Sequence, residues 1–356
     1  MDRKYVVTPT EFGPRVWWRV LVRVVVEIDN RNLGLIAAGV AFYALLSLFP
    51  AIAALVAIWG FAGDPDVLLA QFDMVRQFLP EEALLLIQDQ VNQLIIADNT
   101  TLQWASILSI AVSVWSAKNA TAAMIRGLNS VYRETNRRNT VMRYVASIGL
   151  TLLMLFAAIV AVGLVIALPV AMALLNLPFK VELLVTGLKW IVLLAVMFFC
   201  IGLLYRFGPN RRGAVVSWLT PGAVFALLTW LAGSVAFSMY LRNFGSFNEV
   251  YGSLGALVAL LFWLYISAFV VLIGAQINAE LELQTAEDTT VGAQRPPGQR
   301  RAYVADNILD DSGEVRLADP TDVLDAQPSA KEDDDKSGAT PDERPARPNT
   351  NPEMAG

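Results

Sequence analysis

Three polar residues, Lys118, Arg126 and Asn129, could bind an anion, and they lie in a stretch that is otherwise mostly apolar. Arg126 and Asn129 are three residues apart, so a helix would place both on one face. The planar guanidinium of Arg126 suits a phosphate, and the ammonium of Lys118 would add a second point charge. The pattern therefore indicates a site for an anionic headgroup. The plainer alternative is that Lys118 snorkels to the membrane surface and that Arg126 and Asn129 cap loops.

Other polar residues and prolines could extend such a site into a path through a membrane. Polar side chains are costly to bury in lipid, which makes each of them a candidate for function. Interhelical hydrogen bonds are the plainer explanation for the polar residues, and helix bends for the prolines. The full set of substrate-path candidates is Tyr43, Ser47, Pro50, Lys118, Arg126, Asn129, Arg206, Tyr251, Ser253, Gln276 and Asn278.

The residue types argue against an enzyme. The chain has no histidine and a single cysteine, Cys200. Zinc sites usually need histidine or clustered cysteine, and general bases near neutral pH are most often histidine. The apolar runs also contain no glycine-rich phosphate loop and no pair of carboxylates. We therefore predict no catalytic residue, no metal site, no cofactor and no enzymatic activity.

Six apolar runs are long enough to cross the roughly 30 Å hydrocarbon layer as helices, the form that leaves no backbone group unpaired in lipid. Hydrophobic residues make up 55 % of the chain and charged residues 17 %, against about 25 % charged in soluble proteins. The runs are 35–62, 102–128, 141–175, 181–205, 214–240 and 250–277. The predicted fold is an all-α polytopic membrane bundle of about six transmembrane helices, occupying residues 34–283.

The connection between the first two runs, residues 64–101, carries a helical pattern of its own. Apolar residues recur at helical spacing in 67–79 and again in 84–95, and Pro80 followed by Glu81 suits a helix start. We predict two amphipathic helices in this outward loop. They could pack on the outer mouth of the bundle, or form an interfacial gate or lipid-entry platform.

Basic residues mark one side of the bundle as cytoplasmic, because short cytoplasmic loops are rich in lysine and arginine. The N-terminal segment 1–33 and the connections after the second and fourth runs hold 15 basic residues, whereas the other three connections hold 4. Both termini are therefore predicted to be cytoplasmic. Residues 1–33 form a basic cytoplasmic segment in this interpretation.

Residues 284–356 differ in composition from the rest of the chain. They carry a formal charge of −8 and one aromatic residue, Tyr303, while the preceding 283 residues carry +3. Such a segment cannot bury enough apolar area to offset the entropy lost on ordering. We predict a disordered acidic cytoplasmic tail, with a partner-binding tail as the alternative.

Six short motifs occur along the apolar runs, each of them once. They are FYALLSLFP at 42–50, GLNSVY at 127–132, LYRFGPN at 204–210, TPG at 220–222, YGSLG at 251–255 and GAQINAE at 274–280. In this combination the chain resembles the YihY/BrkB family of bacterial inner-membrane proteins over about residues 31–280. The resemblance implies six helices with cytoplasmic ends and a role in the cell envelope. Gln276 stands where family members are expected to carry glutamate. If the charge of that glutamate matters, this protein either lacks its role or performs it with Glu280 or with the amide of Gln276.

Members of this family have often been labelled ribonuclease BN. A metal-dependent ribonuclease of the metallo-β-lactamase type needs a histidine-rich motif, which this chain lacks. We expect membrane lipids as partners, with envelope proteins as further candidates, and no nucleic acid. The oligomeric state is left open. The first functional hypothesis is transport or flipping of an anionic lipid or other amphiphile. The alternative is a non-catalytic membrane scaffold for an envelope complex.

Overall fold

The computed structural model describes residues 8–62, 99–135, 140–175, 179–243, 253–310 and 312–319. Within these residues a short 3-10 turn at Pro9–Glu11 precedes seven long helices and a small C-terminal lobe. The helices are α1 (Pro14–Asn30), α2 (Leu33–Ala62), α3 (Asn99–Val131), α4 (Thr140–Leu175), α5 (Phe179–Phe207), α6 (Val216–Asn243) and α7 (Ser253–Glu282). The lobe contains a one-turn helix, α8 (Tyr303–Asp306), and an antiparallel hairpin of β1 (Asn307–Leu309) and β2 (Val315–Leu317).

Five of the described helices, α2, α4, α5, α6 and α7, are long and apolar enough to cross a membrane. α3 is less apolar, but its 33 residues give about 50 Å of helix, which also exceeds the hydrocarbon layer. The bundle turns large apolar side chains outward: Phe156, Leu184 and Ile191 are 65–70 % exposed. Lipid is the solvent that favours such a surface. Each of the six predicted runs overlaps one of α2–α7, and the prediction of an all-α membrane bundle is confirmed.

Close packing between α6 and α7 depends on two glycines that face each other. A Cβ atom added to Gly222 would collide with the carbonyl oxygen of Gly274, and one added to Gly274 would collide with that of Gly222. The absence of side chains lets the two backbones touch, as small residues do at helix crossings in membranes. The Tyr205 hydroxyl joins α5 to this pair by donating to the Val271 carbonyl at 2.7 Å.

One end of the bundle gathers the polar contacts. The Ser130 hydroxyl, near the end of α3, donates to the carbonyl of Arg31 just before α2, at 3.4 Å. At the start of α6, the Gly222 N–H donates to Asn278 Oδ1 near the end of α7, at 2.7 Å. We call this the charged end, because the ion-paired residues Arg23, Arg133, Arg211, Glu280 and Glu282 also lie there.

Helix α1 packs across the charged end. Val20 and Val24 are buried on its inner side, and Arg23 forms an ion pair with Glu280 of α7 at 2.8 Å. Two residues, Arg31 and Asn32, separate α1 from α2. The basic N-terminal segment is therefore a helix fixed to the bundle by one face, at least from Pro14 onward.

The C-terminal lobe, residues 284–310 and 312–319, is ordered, so the prediction of a disordered tail is wrong for this part. The guanidinium of Arg300 donates to the carbonyl oxygens of Ala286, Glu287, Arg295 and Ala305 at 2.6–3.1 Å. The lobe docks on the bundle by backbone hydrogen bonds from Leu309 to Leu283 (2.8 Å) and from Val215 to Thr289 (2.9 Å). These hydrogen bonds act together with the buried side chains of Val304, Ile308 and Leu309. Residues 320–356 lie outside the described residues.

The two amphipathic helices predicted for the outward loop fall in residues 63–98, which lie outside the described residues. The end of that predicted loop, Asn99–Thr101, belongs to α3, which begins at Asn99.

Candidate functional site

A cavity of about 470 Å³ opens between the second half of α3 and the first turns of α4. Its α3 residues recur every three or four positions, because one face of that helix forms the wall. The lining residues are Lys118, Asn119, Ala122, Ile125, Arg126, Asn129, Ser130, Glu134, Tyr144 and Ser147. The structure therefore brings together Lys118, Arg126 and Asn129, the three residues selected from the sequence.

Contacts with α4 hold Lys118 at the cavity wall. Its ammonium nitrogen lies 4.6 Å from the centre of the Tyr144 ring, a favourable cation–π arrangement. The Ser147 hydroxyl donates to the backbone carbonyl of Lys118 at 3.3 Å. Together these contacts close one side of the cavity and limit how far Lys118 can extend away from it.

Arg126 and Asn129 differ in how far the fold uses them. Arg126 is exposed, and among the described residues no carboxylate oxygen lies within 4.0 Å of the side-chain nitrogen atoms of Arg126 or Lys118. Asn129 Oδ1 accepts a hydrogen bond from the backbone N–H of Asn210 at 2.6 Å. Asn129 thus fixes the connection between α5 and α6, in addition to lining the cavity.

The electrostatics of the cavity favour an anion. Lys118 and Arg126 contribute two positive charges, and Glu134 contributes one negative charge. Glu134 is buried, and its Oε1 accepts a hydrogen bond from the backbone N–H of Tyr303 in the lobe at 2.6 Å. The wall adds the side-chain amide of Asn119, whereas the hydroxyls of Ser130 and Ser147 already donate to the backbone carbonyls of Arg31 and Lys118. Such a set can neutralise and hydrogen-bond a phosphate-like group.

The candidates on α2 lie apart from the residues that line the cavity. Ser47 donates to the carbonyl of Ala44 at 2.7 Å, and its own carbonyl accepts from the Ser113 hydroxyl of α3 at 3.2 Å. Tyr43 is half-buried, and its ring lies 5.4 Å from that of Phe42. Pro50 lies inside α2, which continues to Ala62. The Ser47 side chain therefore bonds within α2, and it is the backbone carbonyl of Ser47 that receives the contact from α3.

Arg206 is likewise not among the residues that line the cavity. The Arg206 guanidinium lies 5.7 Å from the ring of its neighbour Phe207. Tyr251 lies outside the described residues, and Ser253 is the first residue of α7.

Gln276 and Asn278 are fully buried at the charged end. Asn278 binds the start of α6 twice, accepting from the Gly222 N–H at 2.7 Å and donating to the Leu219 carbonyl at 3.0 Å. Gln276 Nε2 donates to Glu280 Oε1 at 3.0 Å. Glu280 thus lies beside Gln276, the position where the family resemblance implies a glutamate.

A buried ion-pair network at the charged end was not predicted from the sequence. Glu282 accepts two hydrogen bonds from Arg211 Nη2, at 3.0 and 2.9 Å, and one from Thr289 at 2.7 Å. Glu280 lies 2.8 Å from Arg23 and 3.8 Å from Arg133. The only signal in the sequence was the pair of acidic residues that ends α7, since the arginines come from distant segments.

Burial and charge act together on the ionisable groups of this network. Burial alone would lower the pKa of Arg211, but Glu282 and Tyr132 outweigh that effect, so the pKa is raised. Burial raises the pKa of Tyr132 well above its ordinary value, and the nearby Arg211 offsets part of the rise. The Arg211 guanidinium lies 4.5 Å from the centre of the Tyr132 ring. Arg211 is therefore held in its charged form beneath the lobe.

The fold and the cavity define a multi-pass helical membrane protein with an anion-compatible cavity at one end. Across the described ranges, no group of three or more histidine, cysteine, aspartate or glutamate side chains could hold a metal ion. The chain belongs to the family described as virulence factor BrkB, which matches residues 24–298. The resemblance inferred from the six motifs is thereby confirmed.

Relatives of known sequence carry two kinds of name. The putative ribonuclease-like protein YfkH of Bacillus subtilis is 29 % identical over 251 residues, 69 % of this chain and 88 % of that protein. A UPF0761 membrane protein of Idiomarina loihiensis is 28 % identical over 165 residues, 45 % of this chain and 56 % of its own length. A UPF0761 membrane protein of Xanthomonas campestris is 38 % identical over 88 residues, 25 % of this chain and 20 % of that protein. No solved structure matches the chain.

Proposed function

We propose that this protein moves an anionic lipid or a similar amphiphile across the bacterial inner membrane, without enzymatic chemistry. The observation that carries the proposal is the cavity in which Lys118 and Arg126 lie together without a described carboxylate partner within 4.0 Å. Charges with no partner of opposite sign are costly at membrane depth unless a ligand or water solvates them. An anionic headgroup would supply the missing charge.

The position of the cavity relative to the lipid supports an amphiphilic ligand. Tyr144 lines the cavity and is also the first residue of the apolar span of α4. The neighbouring Val145 and Ile148 are exposed on the outer surface of that helix. A headgroup in the cavity could therefore keep its acyl chains in the surrounding lipid. Arg126 would bind it with its planar fork, and Lys118 would add a point charge.

The same proposal places the charged end and both termini in the cytoplasm. The basic residues of the predicted cytoplasmic segments include Arg23, Arg133 and Arg211, and the structure brings these three to one end of the bundle. Short cytoplasmic segments attract such an excess of positive charge during insertion. The cavity would then bind headgroups from the inner leaflet.

A second candidate function is that of a membrane scaffold without transport. It is favoured by the dense packing of Gln276, Asn278, Glu280 and Glu282, all fully buried, and by the ordered lobe that covers this end. A scaffold would present the lobe to an envelope protein and would need no moving path.

A lipid-scrambling assay separates the two functions. The protein is reconstituted into vesicles with fluorescent phosphatidylglycerol or phosphatidylcholine, and dithionite quenching reports how fast the label crosses the bilayer. Transport predicts faster crossing of phosphatidylglycerol than in protein-free vesicles. Arg126→Gln should lower that rate about tenfold or more, because a hydrogen bond to a charged group contributes about 1.5–3 kcal/mol. Arg126→Lys should retain part of the rate.

The matched control is Arg295→Gln, which removes one exposed positive charge from the lobe and leaves the cavity intact. Its rate should equal that of the wild type. A rate that is the same for Arg126→Gln and the wild type would remove the cavity from the transport path. Crossing no faster than in protein-free vesicles would favour the scaffold.

A further inference from the structure

Helix α1 has two apolar faces, of which the bundle uses one. The inner face packs against the charged end through Val20 and Val24, which are 0 % and 4 % exposed, and through the 2.8 Å ion pair of Arg23 with Glu280. The outer face carries five large apolar side chains that are 41–70 % exposed, namely Trp18, Leu21, Val22, Val25 and Val26. Their spacing of three and four residues makes them one continuous stripe.

Two arginines border this stripe. Both are exposed: Arg19 lies on one flank of the stripe, and Arg15 lies at its N-terminal end, one turn before Trp18. At 100° per residue Arg15 is about 60° and Arg19 about 100° around the helix from Trp18. The outer side of α1 therefore combines an apolar strip with a positive edge, which is the composition of helices that lie in a membrane surface.

The short connection to α2 places helix α1 at the level of the membrane boundary. α1 ends at Asn30, and the apolar span of α2 begins at Leu33. Leu35, in the first turn of that span, is 74 % exposed and belongs to the lipid-facing surface. A connection of two residues cannot carry α1 far from this level, since an extended residue spans at most about 3.6 Å.

We propose that α1 lies in the headgroup layer of the membrane, with the stripe from Trp18 to Val26 buried at the acyl boundary and with Arg15 and Arg19 bound to anionic lipid phosphates. The occupant of the exposed face is thus the lipid itself. The identity of that leaflet rests on the orientation proposed above, but insertion of α1 does not. Because Arg23 joins α1 to Glu280, the lipid surface is coupled mechanically to the end of α7.

Spin-label accessibility tests this proposal on the full-length protein in phosphatidylglycerol-containing vesicles. In a Cys200→Ala background, Val25→Cys is labelled on the stripe. Phe156→Cys serves as the lipid-facing reference and Ser312→Cys, on the exposed hairpin turn, as the water-facing one. Collisions with oxygen report lipid, and collisions with a water-soluble nickel chelate report water.

The expected pattern at position 25 is frequent oxygen collisions and few nickel collisions, as at position 156, although at a shallower depth. Frequent nickel collisions, as at position 312, would overturn the proposal. Infrequent collisions with both reagents would also overturn it, because they would show that protein covers the face, either a second copy or another segment of this chain.

A second experiment tests whether Arg15 and Arg19 bind anionic lipid phosphates. Replacing phosphatidylglycerol by phosphatidylcholine should move the label at position 25 toward water. The double variant Arg15→Gln, Arg19→Gln should lose this dependence on lipid charge. If the depth of the label at position 25 were the same in both lipids, with and without the two arginines, the proposed phosphate contacts would be overturned. None of these readouts depends on lipid transport, so the proposal can fail or stand independently of the function proposed above.

Discussion

At the scale of single residues, Arg211 and Glu282 form an ion pair that is buried on both sides. Both side chains are at most 1 % exposed, and the guanidinium nitrogen lies 2.9 Å from the carboxylate. Desolvating two charges is expensive, so such a pair adds little net stability over an apolar pair of the same size. Replacing only one residue of the pair is strongly destabilising, because the remaining charge stays buried without its partner.

Arg211→Ala should therefore lower the free energy of unfolding by about 3–5 kcal/mol. The matched control is its neighbour Arg212, which is 18 % exposed and lies 3.9 Å from Asp288. Arg212→Ala should cost about 1 kcal/mol or less. Unfolding by denaturant in detergent micelles, followed by circular dichroism, measures both variants. If Arg211→Ala lowered the free energy of unfolding by as little as Arg212→Ala, Glu282 would have to be solvated by other groups when Arg211 is absent.

At the scale of helices, the crossing of α6 and α7 depends on the backbone contact between Gly222 and Gly274. Gly274→Ala should separate the two helices and destabilise the bundle by about 1–3 kcal/mol, the usual cost of overpacking. Gly149 of α4 is the control, since a Cβ there would meet nothing within 4 Å. Gly149→Ala should be neutral or stabilise by about 0.5–1 kcal/mol. The same micelle unfolding measures the difference, and a neutral Gly274→Ala would contradict the role of this crossing.

Helices α2–α7 could be predicted from the sequence, because a membrane span is a long and mostly apolar run of residues, whereas α1 was predicted only as part of a basic segment. The cavity was only partly predictable. Arg126 and Asn129 share a helix face by their spacing, but Tyr144 reaches the same cavity from another helix. The pair of Arg23 with Glu280 joins residues 257 positions apart, and no local pattern encodes such a partner. Asn129 was selected as a binding residue, and the structure shows that it also fixes the backbone of Asn210.

At the scale of the whole molecule, the C-terminal lobe is part of the fold. Its composition suggested disorder, but Arg300 satisfies four carbonyl oxygens and Glu134 of the bundle binds the backbone of Tyr303. Composition alone cannot reveal order that arises from hydrogen bonds between distant residues. The lobe covers the ion pairs that end α7.

Truncation after Leu283 should therefore lower the yield of folded protein and its apparent Tm, because it removes Thr289 from Glu282 and exposes the buried ion pair. Truncation after Asp319 retains the lobe and should leave both quantities unchanged. Size-exclusion recovery after heating compares the two. An unchanged Tm after truncation at Leu283 would show that the lobe docks without stabilising the bundle.

The ion pair between Arg23 and Glu280 also has a consequence for the order of events during synthesis. Their separation of 257 residues corresponds to roughly 10–50 s of translation at about 5–20 residues per second. Throughout this interval Arg23 has no Glu280 to bind, and its charge is available to the insertion machinery as an orientation signal. Once α7 is complete, the same charge is neutralised within the folded bundle. A single arginine can thus first help to direct insertion and later help to lock the product.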